Sequence, residues 1–135
     1  MGNIMTTILA IDYGQKKIGL AVGQMITQTA QPLDVIFIKG DFWLKINKIF
    51  KEWQPAAVVI GEPKLADDTP HPLEKLIESF IFELKKRYNV KIYRENEAFT
   101  SFEASQYHTG ANYNKPVDAH AAAIILESWM RANHA

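Results

Sequence analysis

The chain has 135 residues, with fifteen basic side chains balanced by fifteen acidic ones, a hydrophobic fraction of 47% and no cysteine. Zero net charge excludes a bulk polycationic nucleic-acid binder and an acidic solvating tail, and the missing thiols exclude disulfide staples and thiolate metal sites. A chain of this length is expected to form one domain and to bury roughly 68% of its unfolded surface. No basic residue precedes the first apolar run and no apolar run approaches membrane length, so neither a signal peptide nor a membrane span is expected.

In chain order, residues 4–12 predict a strand apolar enough for a central, doubly covered position. A turn over Asp12-Tyr13-Gly14-Gln15-Lys16-Lys17 leads to a second strand, 18–23. Ile18, Leu20 and Val22 take one face of it and Gly19, Ala21 and Gly23 the other, where the lack of side chains admits close packing. A third strand is expected over 32–38. Asp41 is expected to cap a helix whose stripe is Phe42, Ile46, Ile49, Phe50 and Trp53. A short buried strand, 56–61, precedes a polar loop. Thr69-Pro70 is the expected start of a helix reaching about Tyr88, with Leu73, Leu76, Ile77, Phe80, Ile81, Leu84 and Tyr88 on one face. A fifth strand covers 90–94. The Thr100–Glu103 spacing predicts a capping box opening a short helix to about His108, and Pro116 opens a last helix to about Ala132. Three strands followed by alternating helices and strands predict a mixed α/β sheet with helices on both faces, strands four and five being parallel to their neighbours.

Three carboxylates stand where solvated charge is not expected. Asp12 closes an apolar strand. Asp118 shares a helix face with Ala121, Ala122, Ile125 and Trp129, and Glu97 follows the fifth strand. Each alone has a plain structural reading, as a turn residue, a helix N-terminal charge or a loop residue. Together, at the strand ends of an open α/β sheet, they could converge on hard divalent cations, which take oxygen ligands. Two such cations would stabilise both oxygens of a phosphodiester displacement. Zinc is disfavoured, because His71, His108, His120 and His134 are scattered. The glycines of Gly14-Gln15-Lys16-Lys17-Ile18-Gly19 lack a Gly-Lys-Ser/Thr ending, so this is no P-loop. Lys45, Lys48 and Lys51, and Lys85-Lys86-Arg87 with Lys91 and Arg94, read as solvated helix faces that could also meet phosphates.

The string Ile11-Asp12-Tyr13-Gly14-Gln15-Lys16-Lys17-Ile18-Gly19-Leu20-Ala21-Val22 resembles the opening of the YqgF/RuvX family. Val58-Val59-Ile60-Gly61-Glu62-Pro63, Asn96-Glu97-Ala98-Phe99-Thr100-Ser101-Phe102-Glu103-Ala104 and Asp118-Ala119-His120-Ala121-Ala122-Ala123-Ile124-Ile125-Leu126 resemble its three later motifs, in order, over about residues 5–132. The resemblance implies an RNase H-like fold with sheet order 3-2-1-4-5 and strand 2 antiparallel. It also implies a cytoplasmic, Mg²⁺- or Mn²⁺-dependent nuclease related to Holliday-junction resolvases and acting on the 5′ end of pre-16S rRNA. It carries the catalytic and metal-binding roles to Asp12, Glu97 and Asp118. Lys17 takes the basic position after the first strand and, with Lys16, the phosphate-binding role. The sequence departs from the family at Asn96 and Ala98, where Asp and Arg are usual. At Glu62 it gains a carboxylate that rivals Glu97 as the middle ligand. Branched DNA is the alternative substrate, and a non-catalytic nucleic-acid or ribosome-assembly binding module the alternative function. A plainer alternative is a structural dimer protein whose acids are caps. Junction resolvases cut two strands as pairs, which raises a homodimer here by analogy.

Overall fold

A computed structural model describes residues 6–62, 72–96 and 117–133, with the backbone alone for Glu62, Asn96, Val117 and Asp118. Strands β1 (Thr7–Tyr13), β2 (Lys17–Gln24) and β3 (Thr29–Phe37) form an antiparallel meander. Helix α1 (Trp43–Trp53), strand β4 (Ala57–Glu62), helix α2 (Glu74–Arg87), strand β5 (Lys91–Asn96) and helix α3 (Val117–Asn133) follow. The sheet order is β3-β2-β1-β4-β5, with β4 parallel to both β1 and β5. This is the expected mixed sheet, in the order implied by the resemblance.

Alternation along β1 divides the core into two layers. Leu9, Ile11 and Tyr13 join Ile18, Leu20, Ile36, Val58 and Ile60 against Ile46 and Phe50 of α1 and Ile77 and Leu84 of α2. Ile8 and Ala10 join Ala21, Ala30 and Val59 against Ala122, Ile125, Leu126 and Trp129 of α3. Each large apolar side chain so covered contributes about 1.5–3 kcal/mol relative to exposure. On the sheet side this second layer is mostly small, with Ala10, Ala21, Ala30 and Ala57, so the large side chains of α3 pack close to the backbone. A Cβ added at Gly23 would stand 2.8 Å from Leu126 Cδ2 and 2.7 Å from the Thr29 carbonyl oxygen. The nearly bare face of β2 thus does what its sequence predicts.

Aromatic contacts fix α1 against α2. Phe50 stacks on Tyr88 with ring centroids 3.8 Å apart, and Trp43 stacks on Phe80 at 5.1 Å. Phe80 also meets Tyr13 at 4.9 Å, tying both helices to the end of β1.

Four expectations change. Strand β3 begins at Thr29 rather than Pro32. It is an edge strand, and its register shifts opposite Leu20/Ala21, so the missing proline N–H is tolerated. Asp41 does not cap α1. The carbonyl of Phe42 accepts the Ile46 N–H at 3.2 Å, which makes Phe42 the cap residue, without a side-chain cap bond, and Asp41 contributes only its carbonyl to the Leu44 N–H. Helix α2 starts at Glu74, after a turn at 72–73, with Leu73 as its cap residue. Leu76 is 48% exposed, because it sits on the flank of a stripe centred on Ile77, Phe80, Ile81 and Leu84. Thr69-Pro70, the Thr100–Glu103 spacing, the helix to His108 and Pro116 lie outside the described residues.

Candidate active site

Because β1, β4 and β5 are parallel, their carboxyl ends, Tyr13, Glu62 and Asn96, share one edge of the sheet. Antiparallel β2 begins at this edge with Lys17, and β3 ends there with Phe37. Open α/β sheets bind their ligands at such an edge.

Asp12 is half-buried there. Its neighbours Ile11 and Tyr13 belong to the α1/α2 layer, so alternation turns Asp12 to the face that carries α3. On that face its partner across the β1–β2 ladder is Gly19, whose own partner on β3 is Val35. One residue beyond the paired Ile11 and Ile60, Asp12 on β1 is followed across the sheet by Gly61 on β4, and Gly61 pairs with Glu95 on β5. The row therefore reads Val35, Gly19, Asp12, Gly61, Glu95. The positions directly beside Asp12 on both neighbouring strands are therefore glycines. A phosphate or a cation could approach it there.

The other expected residues are distributed as follows. Lys16 and Lys17 are exposed at the same edge. The turn that presents them is closed by the Gly14 N–H, which donates to the Lys17 carbonyl at 3.0 Å. A Cβ on Gly14 would stand 2.7 Å from that oxygen, so the turn takes only glycine without a shift. Lys17 shares the face of Gly19 and Asp12, since Ile18 between them enters the other layer. The backbone of Glu62 pairs with Asn96 at the edge. Asp118 is the second residue of α3, the helix that covers the Asp12 face. Glu97 lies outside the described residues, as do His71, His108 and His134. His120 is fully buried in α3. Among the described residues, no three His, Asp or Glu side chains form a metal-sized cluster. The donor chemistry at the edge is nonetheless that of a hard cation: a carboxylate between two glycines, in a chain without cysteine.

Sequence reasoning missed one carboxylate, Glu95. Ser128 of α3 donates a 2.7 Å hydrogen bond to Glu95 Oε2, and the neighbouring Tyr93 ring lies 5.0 Å from Trp129. Both therefore face α3, whereas Ile92 joins the α1/α2 layer and Arg94 pairs with Glu74 of α2 at 3.1 Å. Alternation in β5 gave no signal for it, because Tyr93 and Glu95 on one face and Ile92 and Arg94 on the other are equally mixed. Burial raises the Tyr13 phenol above its ordinary value, so the residue beside Asp12 is neutral across the physiological range. The basic clusters read largely as solvated faces. Arg87 pairs with Glu83 at 2.8 Å and lies 4.5 Å above the Trp43 ring.

Comparison with known proteins bears on the family and the fold. A protein from Pseudomonas putida named "Putative pre-16S rRNA nuclease" is 37% identical over 134 residues, covering 93% of this chain and 95% of its own. A protein of the same name from Francisella philomiragia is 38% identical over 133 residues, covering 94% and 98%. Among solved structures, the fowlpox virus resolvase in complex with Holliday junction DNA superposes with a TM-score of 0.61 at 14% identity, covering 94% of this chain and 98% of its own. Thermus thermophilus RuvC with a Holliday junction substrate gives 0.59 at 15% identity, covering 94% of each chain. These two share the fold, which is RNase H-like as the resemblance implied. The model of the family described as "RuvX: Holliday junction resolvase" matches residues 6–132, and the chain belongs to that nuclease family.

Proposed function

We propose that the protein is a Mg²⁺- or Mn²⁺-dependent endonuclease, one domain over residues 1–135, that processes the 5′ end of pre-16S rRNA in the cytoplasm. The observation that carries this reading is Asp12, held at the carboxyl edge between Gly19 and Gly61 with Lys17 on the same face. Asp12, Glu97 and Asp118 are the residues that would hold the cation, with Glu62 as the rival to Glu97. A bound divalent cation would neutralise these carboxylates and polarise the scissile phosphate. The remaining work falls to the chain itself. The bare backbone beside Asp12 leaves room for a phosphate, and the ammonium groups of Lys16 and Lys17 hold the non-reacting phosphates beside it. Helix α3 packs on the face of the sheet to which Asp12 belongs.

The test is cleavage of a 5′-extended 16S precursor RNA across a Mn²⁺ titration, beside a four-way DNA junction. Metal-dependent cutting of the RNA, lost in Asp12→Asn with the fold retained, supports the reading. Full activity in Asp12→Asn, purified free of other nucleases, overturns it. Binding of both nucleic acids without cleavage at any Mn²⁺ level favours a non-catalytic binding module, and cutting of the junction alone favours a resolvase.

A further inference from the structure

Beyond Asp12 and Lys17, the same edge of the sheet carries two residues, Phe37 and Lys39, that the nuclease chemistry does not use. Phe37, the last residue of β3, is 55% exposed. It pairs directly with Lys17 on the β2–β3 ladder, so the two side chains share a face. Ile36 before it enters the α1/α2 layer, which places Phe37 on the face of Gly19 and Asp12. The chain then turns sharply: the Lys39 N–H donates to the Phe37 carbonyl at 3.0 Å, and the Ile38 N–H donates to the Lys16 carbonyl at 2.8 Å. Exposed Lys17 is thus the direct cross-strand partner of Phe37, and exposed Lys39 follows it two residues on in the turn. Asp34, the acidic residue of β3, accepts the Val35 N–H and lies with Leu20 on the opposite face. An exposed ring beside lysines matches the platforms that hold unpaired nucleotides, where the base stacks and the ammonium groups take its phosphates.

We propose that Phe37 and Lys39, with Lys17, form a binding platform for an unpaired nucleotide strand flanking the scissile position. Strand spacing and rise place the Phe37 and Asp12 backbones about 12 Å apart, within reach of one bound strand. This assignment takes its setting from the nuclease reading, but its test needs no catalysis. Binding is measured by fluorescence anisotropy in EDTA, with an RNA duplex carrying an oligouridine overhang and with the same duplex blunt-ended. The wild type binds the overhang duplex more tightly. Phe37→Ala weakens the overhang duplex by roughly tenfold and leaves the blunt one unchanged, and Phe37→Trp restores it. Lys39→Ala lowers the slope of log affinity against log salt by about one. The same pair made in DNA tells which strand chemistry the platform prefers, and a preference for either overhang supports it. The platform is overturned if the wild type shows no preference for an overhang. Equal losses on both duplexes in Phe37→Ala, or no loss, overturn it as well. Absence of cleavage with the platform intact would instead count against the nuclease reading alone.

Discussion

Asp12 faces Gly19 across the β1–β2 ladder, so the residue directly opposite the carboxylate contributes no side chain. Cross-strand partners hold their Cβ atoms about 5 Å apart. A branched side chain at position 19 would therefore occupy the space next to the carboxylate. Gly19→Val is expected to lower cleavage by about a hundredfold, the scale of an ångström-sized misplacement at a reacting centre, with the near-UV circular dichroism of the folded protein preserved. Activity equal to wild type would show that the open flank serves no ligand.

Gly23, two pairs along the same face, has a packing role. Its absent Cβ makes room for Leu126 and for the Thr29 carbonyl. Gly23→Ala should destabilise the protein by about 1–3 kcal/mol through overpacking, read as a lower urea midpoint at unchanged slope. Shortening Leu126 to alanine in the same chain relieves only one of the two contacts, because the other is backbone. The double variant should therefore stay less stable than Leu126→Ala alone.

These two glycines also show what the sequence makes legible. The bare face of β2 is visible in Gly19, Ala21 and Gly23, because a missing side chain needs no coordinates to be noticed. What lies against it requires a register, and the contact to Leu126 spans a hundred residues. Asp12 stands out as a charge at the end of an apolar strand. Glu95 does not, because a glutamate in a half-polar strand has no distinguishing context until β4 is paired and Gly61 falls beside it. Asp41 misled for the converse reason. An aspartate before an apolar stripe carries a capping signal, but the chain leaves β3 through Gly40 at φ 58° and lets the Phe42 carbonyl take the first helical bond. Local signals thus identified the element and left its first turn to tertiary packing.

The buried phenols give a pH dependence. Burial raises Tyr13 above the ordinary value of 10.0. It raises Tyr88 as well, with Arg87 pulling that group partly back. As pH climbs past 10, the unfolded chain loses these protons before the folded one does. The folded state then binds more protons, and stability falls with pH. The contribution is complete below pH 10 and disappears as the folded groups ionise. The melting temperature should therefore show no tyrosine-linked change up to about pH 10 and a decline above it, and Tyr13→Phe should make that decline shallower. A decline of the same steepness in the variant would remove Tyr13 as its source.

The last prediction concerns the tie between α3 and the edge strand. Ser128 donates to Glu95 Oε2 at 2.7 Å in a half-buried setting, two strands away from Asp12 on the same face. A hydrogen bond to a charged acceptor is worth about 1.5–3 kcal/mol when well shielded, and partial exposure brings this one toward about 1 kcal/mol. Ser128→Ala should lose about that much stability. Glu95→Gln should lose less, because the amide oxygen still accepts the hydroxyl proton. If the bond also sets how α3 lies over the active edge, Ser128→Ala lowers cleavage at saturating Mn²⁺ while substrate affinity stays unchanged, and Ser128→Thr restores both stability and rate. Stability loss with an unaltered rate would confine the bond to structure: α3 would then be positioned by Leu126 against Gly23 and Trp129 against Tyr93, without help from the Ser128–Glu95 bond.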